Sequence, residues 1–140
     1  MRVVLDTNVL VAAMRSPRGA SAHLLRAALN GRVELACTIG LFLEYEQTLK
    51  RPLHLEAAGW TIRDVDGLLG SLAPLLVPAP PAYSNRPRLD DPDDEVVWEA
   101  AETANVDALV TFEIRTFRAI GLAYGIAIMT PAQFVARLLP

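Results

Sequence analysis

Short apolar runs with strand-like composition alternate along this chain with longer segments whose apolar residues recur at helical spacing. The apolar runs predict strands at 2–5, 33–37, 75–77, 107–111 and 125–129. Strands that alternate with helices build parallel βαβ units, in which helices cover both faces of the sheet. The sequence therefore predicts an α/β fold, a three-layer α/β/α sandwich around a mainly parallel sheet of four to five strands.

The segments between these runs carry helix start and stop signals. Helices are expected at 8–15, 21–29, 39–51, 54–58, 61–73, 93–104 and 131–139. Thr61 and Asp64 have the spacing of a capping box at the start of one of them. The segment 112–120 has an ambiguous pattern, and we predict one irregular helical turn there before Gly121.

Composition limits the classes to which the protein can belong. Its 140 residues, 52% of them hydrophobic, suit one domain over 1–140, and the prolines concentrated in 74–92 indicate a loop within it. The chain has no apolar run near the ~20 residues that a bilayer span needs, and Asp6 interrupts the apolar N-terminus. Cys37 has no disulfide partner, and with His23 and His54 it supplies too few ligands for the usual zinc sites. We therefore expect a cytoplasmic protein without a membrane segment.

The charged residues are unevenly distributed. Sixteen acids against thirteen bases give a net charge of −3, which counts against a protein whose whole surface binds nucleic acid. Five of the acids fall within the six residues 90–95. All bases except Lys50 are arginines, which suit phosphate oxygens, although genome base composition explains the same bias.

Four acids are expected at strand ends or on the inner side of helices packed there. Asp6 directly follows the first strand, where it also suits the N-cap of a helix. Glu44 lies at the edge of the apolar stripe of its helix, so it needs either an arginine or a metal as partner. Asp94 faces the core side of its helix, whereas Asp91 suits the N-cap. Glu113 follows the fourth strand by two residues and taken alone is an ordinary loop acid.

The combined pattern of these acids indicates a metal site. In open parallel sheets, ligands bind beyond the carboxyl ends of the strands. Four carboxylates that converge there cannot all stay ionised without a cation, and oxygen ligands alone select Mg²⁺ or Mn²⁺. Such an ion activates water and stabilises both the attacking and the leaving oxygen of a phosphodiester. The sequence therefore predicts metal-dependent hydrolysis.

The order and spacing of four motifs give a family resemblance. They are Val-Val-Leu-Asp-Thr-Asn-Val-Leu at 3–10, Leu-Glu-Tyr and Leu-Lys-Arg-Pro within 43–52, Asp-Pro-Asp-Asp-Glu at 91–95, and Asp-Ala-Leu-Val-Thr at 107–111. With them the chain resembles PIN-domain ribonucleases, and among these the bacterial toxin–antitoxin toxins (VapC-like). The resemblance implies a PIN-like fold and a Mg²⁺- or Mn²⁺-dependent endoribonuclease that hydrolyses RNA. It also implies a small antitoxin protein as partner and a possible homodimer.

The resemblance assigns roles to individual acids. Asp6, Glu44 and Asp94 match the acidic positions of the family, and Asp91 resembles an accessory acid. In the mechanism that follows, Asp6, Asp94 and Glu113 bind the metal directly, with Asp91 beside them. Glu44 binds the metal or positions its water.

The last motif departs from the family pattern. Asn8 and Thr111 match residues that orient metal ligands, but Glu113 stands where many relatives have an aspartate. Arg115 and Thr116 stand where relatives often carry a further acid. This departure favours an alternative, a catalytically weakened PIN scaffold that binds protein or RNA.

Arginines near these motifs are candidates for phosphate contacts, although each also suits an ordinary exposed position. The candidates are Arg15, Arg18, Arg86, Arg88 and Arg115. Without the four proposed metal ligands, twelve acids face thirteen bases and the balance becomes +1. The composition is therefore compatible with RNA binding that depends on metal and on local arginines.

Overall fold

A five-stranded parallel sheet forms the centre of the protein. The computed structural model describes residues 1–81 and 87–138. The sheet has the order β3-β2-β1-β4-β5, and all its neighbouring strands are parallel. The strands are β1 (Arg2–Leu5), β2 (Glu34–Cys37), β3 (Val77–Pro78), β4 (Ala108–Val110) and β5 (Ala127–Met129). The α/β class, the parallel sheet and the five strands are confirmed.

Helices connect the strands and cover the sheet. Within the described residues they are α1 (Thr7–Arg15), α2 (Ala20–Leu29), α3 (Ile39–Leu49), α4 (Pro52–Ala58), α5 (Ile62–Leu72), α6 (Pro92–Ala104), α7 (Ile114–Tyr124) and α8 (Pro131–Leu138), with a 3₁₀ turn at Ala73–Leu75. Right-handed crossovers put the helices between β1 and β3 on one face and those between β3 and β5 on the other. Accordingly α6 packs on β1 and β2, and α7 packs on β5, whereas α2 packs against α1 and α8. The three-layer sandwich is confirmed.

The central strands are apolar on both faces, as a sheet covered on both sides requires. All of β1 beyond Arg2 and all of β4 are buried. Three aromatic side chains, Trp98 of α6, Phe117 of α7 and Phe134 of α8, are among the largest fully buried groups. Burial of each contributes about 1.5–3 kcal/mol. The residues that directly follow β1 and β4 are therefore attached to strands that are fixed in the buried core.

The prediction for 112–120 was wrong, because a full helix runs over Ile114–Tyr124. It ends at Gly125, which has a left-handed backbone with φ of 71°. Gly121 lies inside the helix, where a Cβ would meet Cγ1 of Ile128 at 2.6 Å and the Ile126 carbonyl oxygen at 2.8 Å. The absence of a side chain at this position thus permits close packing on β5 and does not end the helix.

No helix in the ranges 1–81 and 87–138 combines the length and apolar character that a membrane span requires.

Candidate active site

Asp6 and Thr111 directly follow the neighbouring parallel strands β1 and β4, at the point where the strand order of the sheet changes direction. The register pairs Leu5 with Val110, and the Asp6 N–H donates to the Val110 carbonyl at 2.9 Å. The buried Thr111 hydroxyl donates to Oδ2 of Asp6 at 2.7 Å and accepts from the Glu113 N–H at 2.9 Å. Thr111 therefore orients the Asp6 carboxylate and fixes the backbone of Glu113.

Asp6 occupies the N-cap position of α1, but its side chain forms no capping hydrogen bond. It is 6% exposed. Burial raises its pKa, the hydrogen bond from Thr111 lowers it, and the charge of Asp94 raises it further. The N–H groups of Thr7 and Asn8 lower the pKa slightly more without reaching capping geometry. Helix capping alone therefore does not account for this residue.

Glu44 reaches the same position from α3. Thr7 Oγ1 donates to Oε2 of Glu44 at 3.1 Å, and the Tyr45 hydroxyl donates to the Leu5 carbonyl. The two bonds tie α3 to the junction of β1 and α1. Of the two partners predicted for Glu44, the described residues supply no arginine in ion-pair contact, and a hydroxyl takes that place.

Several acids come from the first turn of α6, which begins at Pro92. Asp91 is the N-cap, and its Oδ1 accepts from the Asp93 N–H at 2.9 Å, which confirms the capping interpretation for this residue. Asp94 is half-buried and Asp93 is exposed. The first turn therefore presents acids that are free of hydrogen bonds within the helix, and Asp91 uses one oxygen for the cap.

These residues line one cleft of about 250 Å³. The lining residues are Asp6, Thr7, Asn8, Glu44, Thr48, Arg51, Asp91, Asp93, Asp94 and Glu113. All five acids predicted for the site and Asn8 are thus brought together, and Thr111 supports Asp6 without lining the cleft. Six carboxylates and one guanidinium give the cleft a strongly negative charge.

Burial and mutual repulsion disfavour the ionised forms of three cleft acids, Asp6, Glu44 and Asp94. Burial raises the pKa of Asp94, and the charges of Glu113, Asp91 and Asp93 raise it further. Burial is also the main cause of the raised pKa of Glu44. A bound cation would reverse this effect, since opposite charge favours ionised carboxylates.

The donor set suits a hard divalent cation, because every acidic ligand is a carboxylate. In the described parts of the chain, however, no three acidic, cysteine or histidine side chains converge closely enough to form a ready-made cation site. The carboxylate chemistry of the cleft fits Mg²⁺ or Mn²⁺.

The arginines predicted to contact RNA lie outside the cleft lining wherever they are described. Arg15, Arg18 and Arg115 are exposed. Arg88 is held elsewhere, with Nε 3.3 Å from Oε1 of Glu102 and the guanidinium carbon 5.5 Å from the centre of the Tyr124 ring. Arg86 lies outside the described residues.

Sequence reasoning missed Thr48 and Arg51 as members of the cleft. The signal that identifies them is their spacing, because Glu44, Thr48 and Arg51 stand at i, i+4 and i+7 and so follow one face of α3 past its end. Asp93 was missed because the first turn of a helix favours acids for electrostatic reasons alone.

Comparisons with known proteins identify the fold and the family. A family model described as PIN domain matches residues 2–115. Similar solved structures include VapBC2 from Rickettsia felis, bound to a DNA fragment from its promoter, with 16% identity, a TM-score of 0.60, and coverage of 91% of this chain and 97% of that chain. VapBC-1 from nontypeable Haemophilus influenzae is similar at 13% identity and a TM-score of 0.60, with coverage of 94% and 99%.

The search of curated proteins found no match. At such low identities the structural likeness shows the fold, and the family model spans more than half of the chain. The chain therefore belongs to the PIN domain family.

Proposed function

We propose that this protein is a Mg²⁺- or Mn²⁺-dependent endoribonuclease that acts in the cytoplasm as the toxin of a toxin–antitoxin pair. The observation that carries the proposal is the convergence of six carboxylates in one cleft at the carboxyl ends of β1 and β4. Membership of the PIN domain family supports it.

Each acid has a separate task in this proposal. Asp6, Asp94 and Glu113 would hold the cation, with Asp91 beside them. When bound, the cation supplies a water that is activated near neutral pH and neutralises charge on the reacting phosphate oxygens. The Thr111 hydroxyl holds Oδ2 of Asp6, which leaves Oδ1 free as a ligand.

Glu44 is suited to handle a proton. Its Oε2 is engaged by Thr7, so Oε1 is available to accept a proton from the attacking water. Its raised pKa brings the carboxylate closer to the range in which a general base works at neutral pH. Asn8 lines the cleft and is exposed, so that it can orient water or ligand there.

A side-chain nucleophile is not needed. No cysteine, serine or histidine lines the cleft among the described residues. Two threonines, Thr7 and Thr48, line it, and the Thr7 hydroxyl is engaged in its hydrogen bond to Glu44. Burial raises the pKa of Cys37 to about 12, which keeps this thiol protonated and unreactive. Attack by water is therefore the reaction that the cleft supports.

The toxin assignment rests on the VapC-like motifs of the sequence and on the likeness to VapBC2 and VapBC-1. It includes a small antitoxin as partner and allows a homodimer. A short basic or ribbon–helix–helix-like reading frame next to the gene would support the pairing, and its absence would contradict it.

Cleavage of RNA in Mg²⁺ or Mn²⁺ tests the nuclease. We expect Asp94→Asn to lower the rate by about 100-fold or more, because it removes a ligand charge from the cleft. The matched control is Asp90→Asn, since Asp90 is exposed, belongs to the same acidic cluster and does not line the cleft. Equal and EDTA-insensitive cleavage by wild type and both variants would refute the assignment.

A second candidate function, a PIN scaffold that binds RNA or protein without cleaving RNA, is favoured by the last motif. Glu113 stands where many relatives have an aspartate, and Arg115 and Thr116 stand where relatives often carry a further acid. In addition, the described carboxylates form no ready-made cation site. The nuclease and the scaffold differ in metal binding, which only the nuclease requires.

A further inference from the structure

Arg51 is the only basic side chain among the described residues that line the carboxylate cleft. It stands between α3 and α4, at the N-cap of α4, and its side chain is exposed. Within the described parts of the chain it forms no ion pair and no side-chain hydrogen bond. Arg88, by contrast, is bound to Glu102 and stacked on Tyr124.

The free state of Arg51 is informative because six carboxylates share its cleft. A guanidinium whose purpose is to neutralise one of them would be expected in contact with it. Glu44, which lies on the same face of α3, instead accepts from Thr7. The positive charge of Arg51 acts on Glu44 only from a distance, as a minor influence that lowers its pKa. Arg51 is therefore available to an anionic ligand.

A second guanidinium without a partner among the described residues is that of Arg15, at the end of α1. Helix α1 packs against α4, and Arg15 is the last residue of α1. Burial lowers the pKa of His54 on α4, and the charges of Arg15 and Arg51 lower it further, so both guanidinium groups act on the same imidazole. Arg15 is exposed and has no side-chain partner among the described residues.

The length of α1 sets the distance of Arg15 from the reacting centre. The helix begins next to Asp6 and has nine residues, so its end lies ~13 Å from the cleft at 1.5 Å per residue. Arg51 lies nearer, in the cleft wall itself. The guanidinium groups of Arg51 and Arg15 thus define a path that leads from the acidic cleft along α1.

We propose that Arg51 binds the phosphate next to the scissile phosphodiester of a single-stranded nucleic acid, and that Arg15 binds a phosphate further along the same strand. Guanidinium groups suit this role because they bind phosphate oxygens through two parallel hydrogen bonds. The proposal rests on the proposed function and gives the direction in which the bound substrate strand extends from the cleft.

The test measures binding of a labelled short single-stranded RNA by fluorescence anisotropy over a range of salt concentrations. Ca²⁺ replaces Mg²⁺ as an oxygen-preferring cation, so that binding is read separately from cleavage. We expect Arg51→Ala to weaken binding by on the order of tenfold and to lower the slope of log K against log salt by about 0.7, the value of one phosphate contact. Arg15→Ala should lower the slope by a similar amount.

Two control variants separate the loss of a specific phosphate contact from the loss of positive charge. Arg63→Ala removes an exposed arginine on α5 that does not line the cleft, and it should leave affinity and slope unchanged. Arg51→Lys keeps the charge and loses the paired hydrogen bonds, so it should retain the slope with part of the affinity lost. In cleavage assays Arg51→Ala should raise KM with little change in kcat, as expected for a contact that is equal in ground and transition states.

Unchanged affinity and slope in Arg51→Ala would overturn the proposal. So would an effect restricted to Mn²⁺ affinity, which would assign Arg51 to the carboxylates and not to the substrate. If wild type binds RNA in an Arg51-dependent way but cleaves none in Mg²⁺ or Mn²⁺, phosphate binding by Arg51 is supported and the nuclease proposal fails.

Discussion

At the scale of single residues, two threonine hydroxyls decide how the cleft carboxylates point. Thr111 donates to Asp6 and Thr7 donates to Glu44, and each bond leaves one carboxylate oxygen free. Neither bond offsets the cost of burial, because the pKa of both acids is raised. In the absence of a cation, the buried carboxylates of the cleft therefore lower the free energy of unfolding of the protein.

Asp6→Asn tests this cost. The folded pKa of Asp6 lies above its ordinary value of 3.8, so wild type loses stability as pH rises from that value through the folded pKa. Asparagine keeps an acceptor for Thr111 and removes the buried charge. In EDTA near neutral pH we expect Asp6→Asn to be more stable than wild type by on the order of 1 kcal/mol, measured by urea unfolding.

The gain should vanish at acidic pH below 3.8, where the Asp6 carboxyl is protonated in both states. Asp90→Asn serves as the control, since Asp90 is exposed and outside the cleft, and it should show no such pH-dependent difference. An Asp6→Asn protein that is less stable than wild type at neutral pH would show that the Asp6 charge is not a cost.

At the scale of helices and strands, patterns of residues close together in the sequence determined most of the elements that form. The strands follow from apolar runs, and the capping box of Thr61 and Asp64 is present as predicted. Helix α7 was missed because Gly121 has two possible meanings, a helix end or a close contact. Only the distance to Ile128 on β5 distinguishes them.

Gly121→Ala should therefore destabilise the protein by about 1–3 kcal/mol, since the added methyl group overlaps Ile128 and the Ile126 carbonyl. The matched control is Gly70→Ala in α5, where a Cβ meets no atom within 4 Å. That change should stabilise by about 0.5–1 kcal/mol through better helix propensity. Thermal and urea unfolding measure both, and equal effects of the two changes would refute the close packing of α7 on β5.

At the scale of the whole molecule, the parallel register assembles the cleft from four separate segments. Asp6 and Thr111 are 105 residues apart, and Thr7 and Glu44 are 37 apart. Helix α6 adds its acids because it packs over β1 and β2. Metal binding in the cleft, as proposed, would therefore be coupled to folding, since the unfolded chain has no such cleft.

Mn²⁺ should raise the free energy of unfolding by about 2.7 kcal/mol at a concentration 100 times Kd. Calorimetric titration supplies Kd, and thermal unfolding supplies the stabilisation. Asp94→Asn should lose most of the effect and Asp90→Asn should retain it, with NaCl of matched ionic strength as the control for charge screening. Absence of binding in the millimolar range would contradict the nuclease and favour the PIN scaffold.

The sequence by itself determined the alternation of strands and helices, the parallel sheet and the acids at strand ends, because these depend on side-chain periodicity and on the handedness of short connections. Only the tertiary structure decided which other groups meet those acids. It brings Arg51 into the cleft, holds Arg88 at Tyr124, and gives Glu44 the hydroxyl of Thr7 as its partner. These neighbours depend on how helices pack across the sheet. The spacing of Glu44 and Arg51 puts them on one helix face, but no local pattern shows that this face lines the cleft.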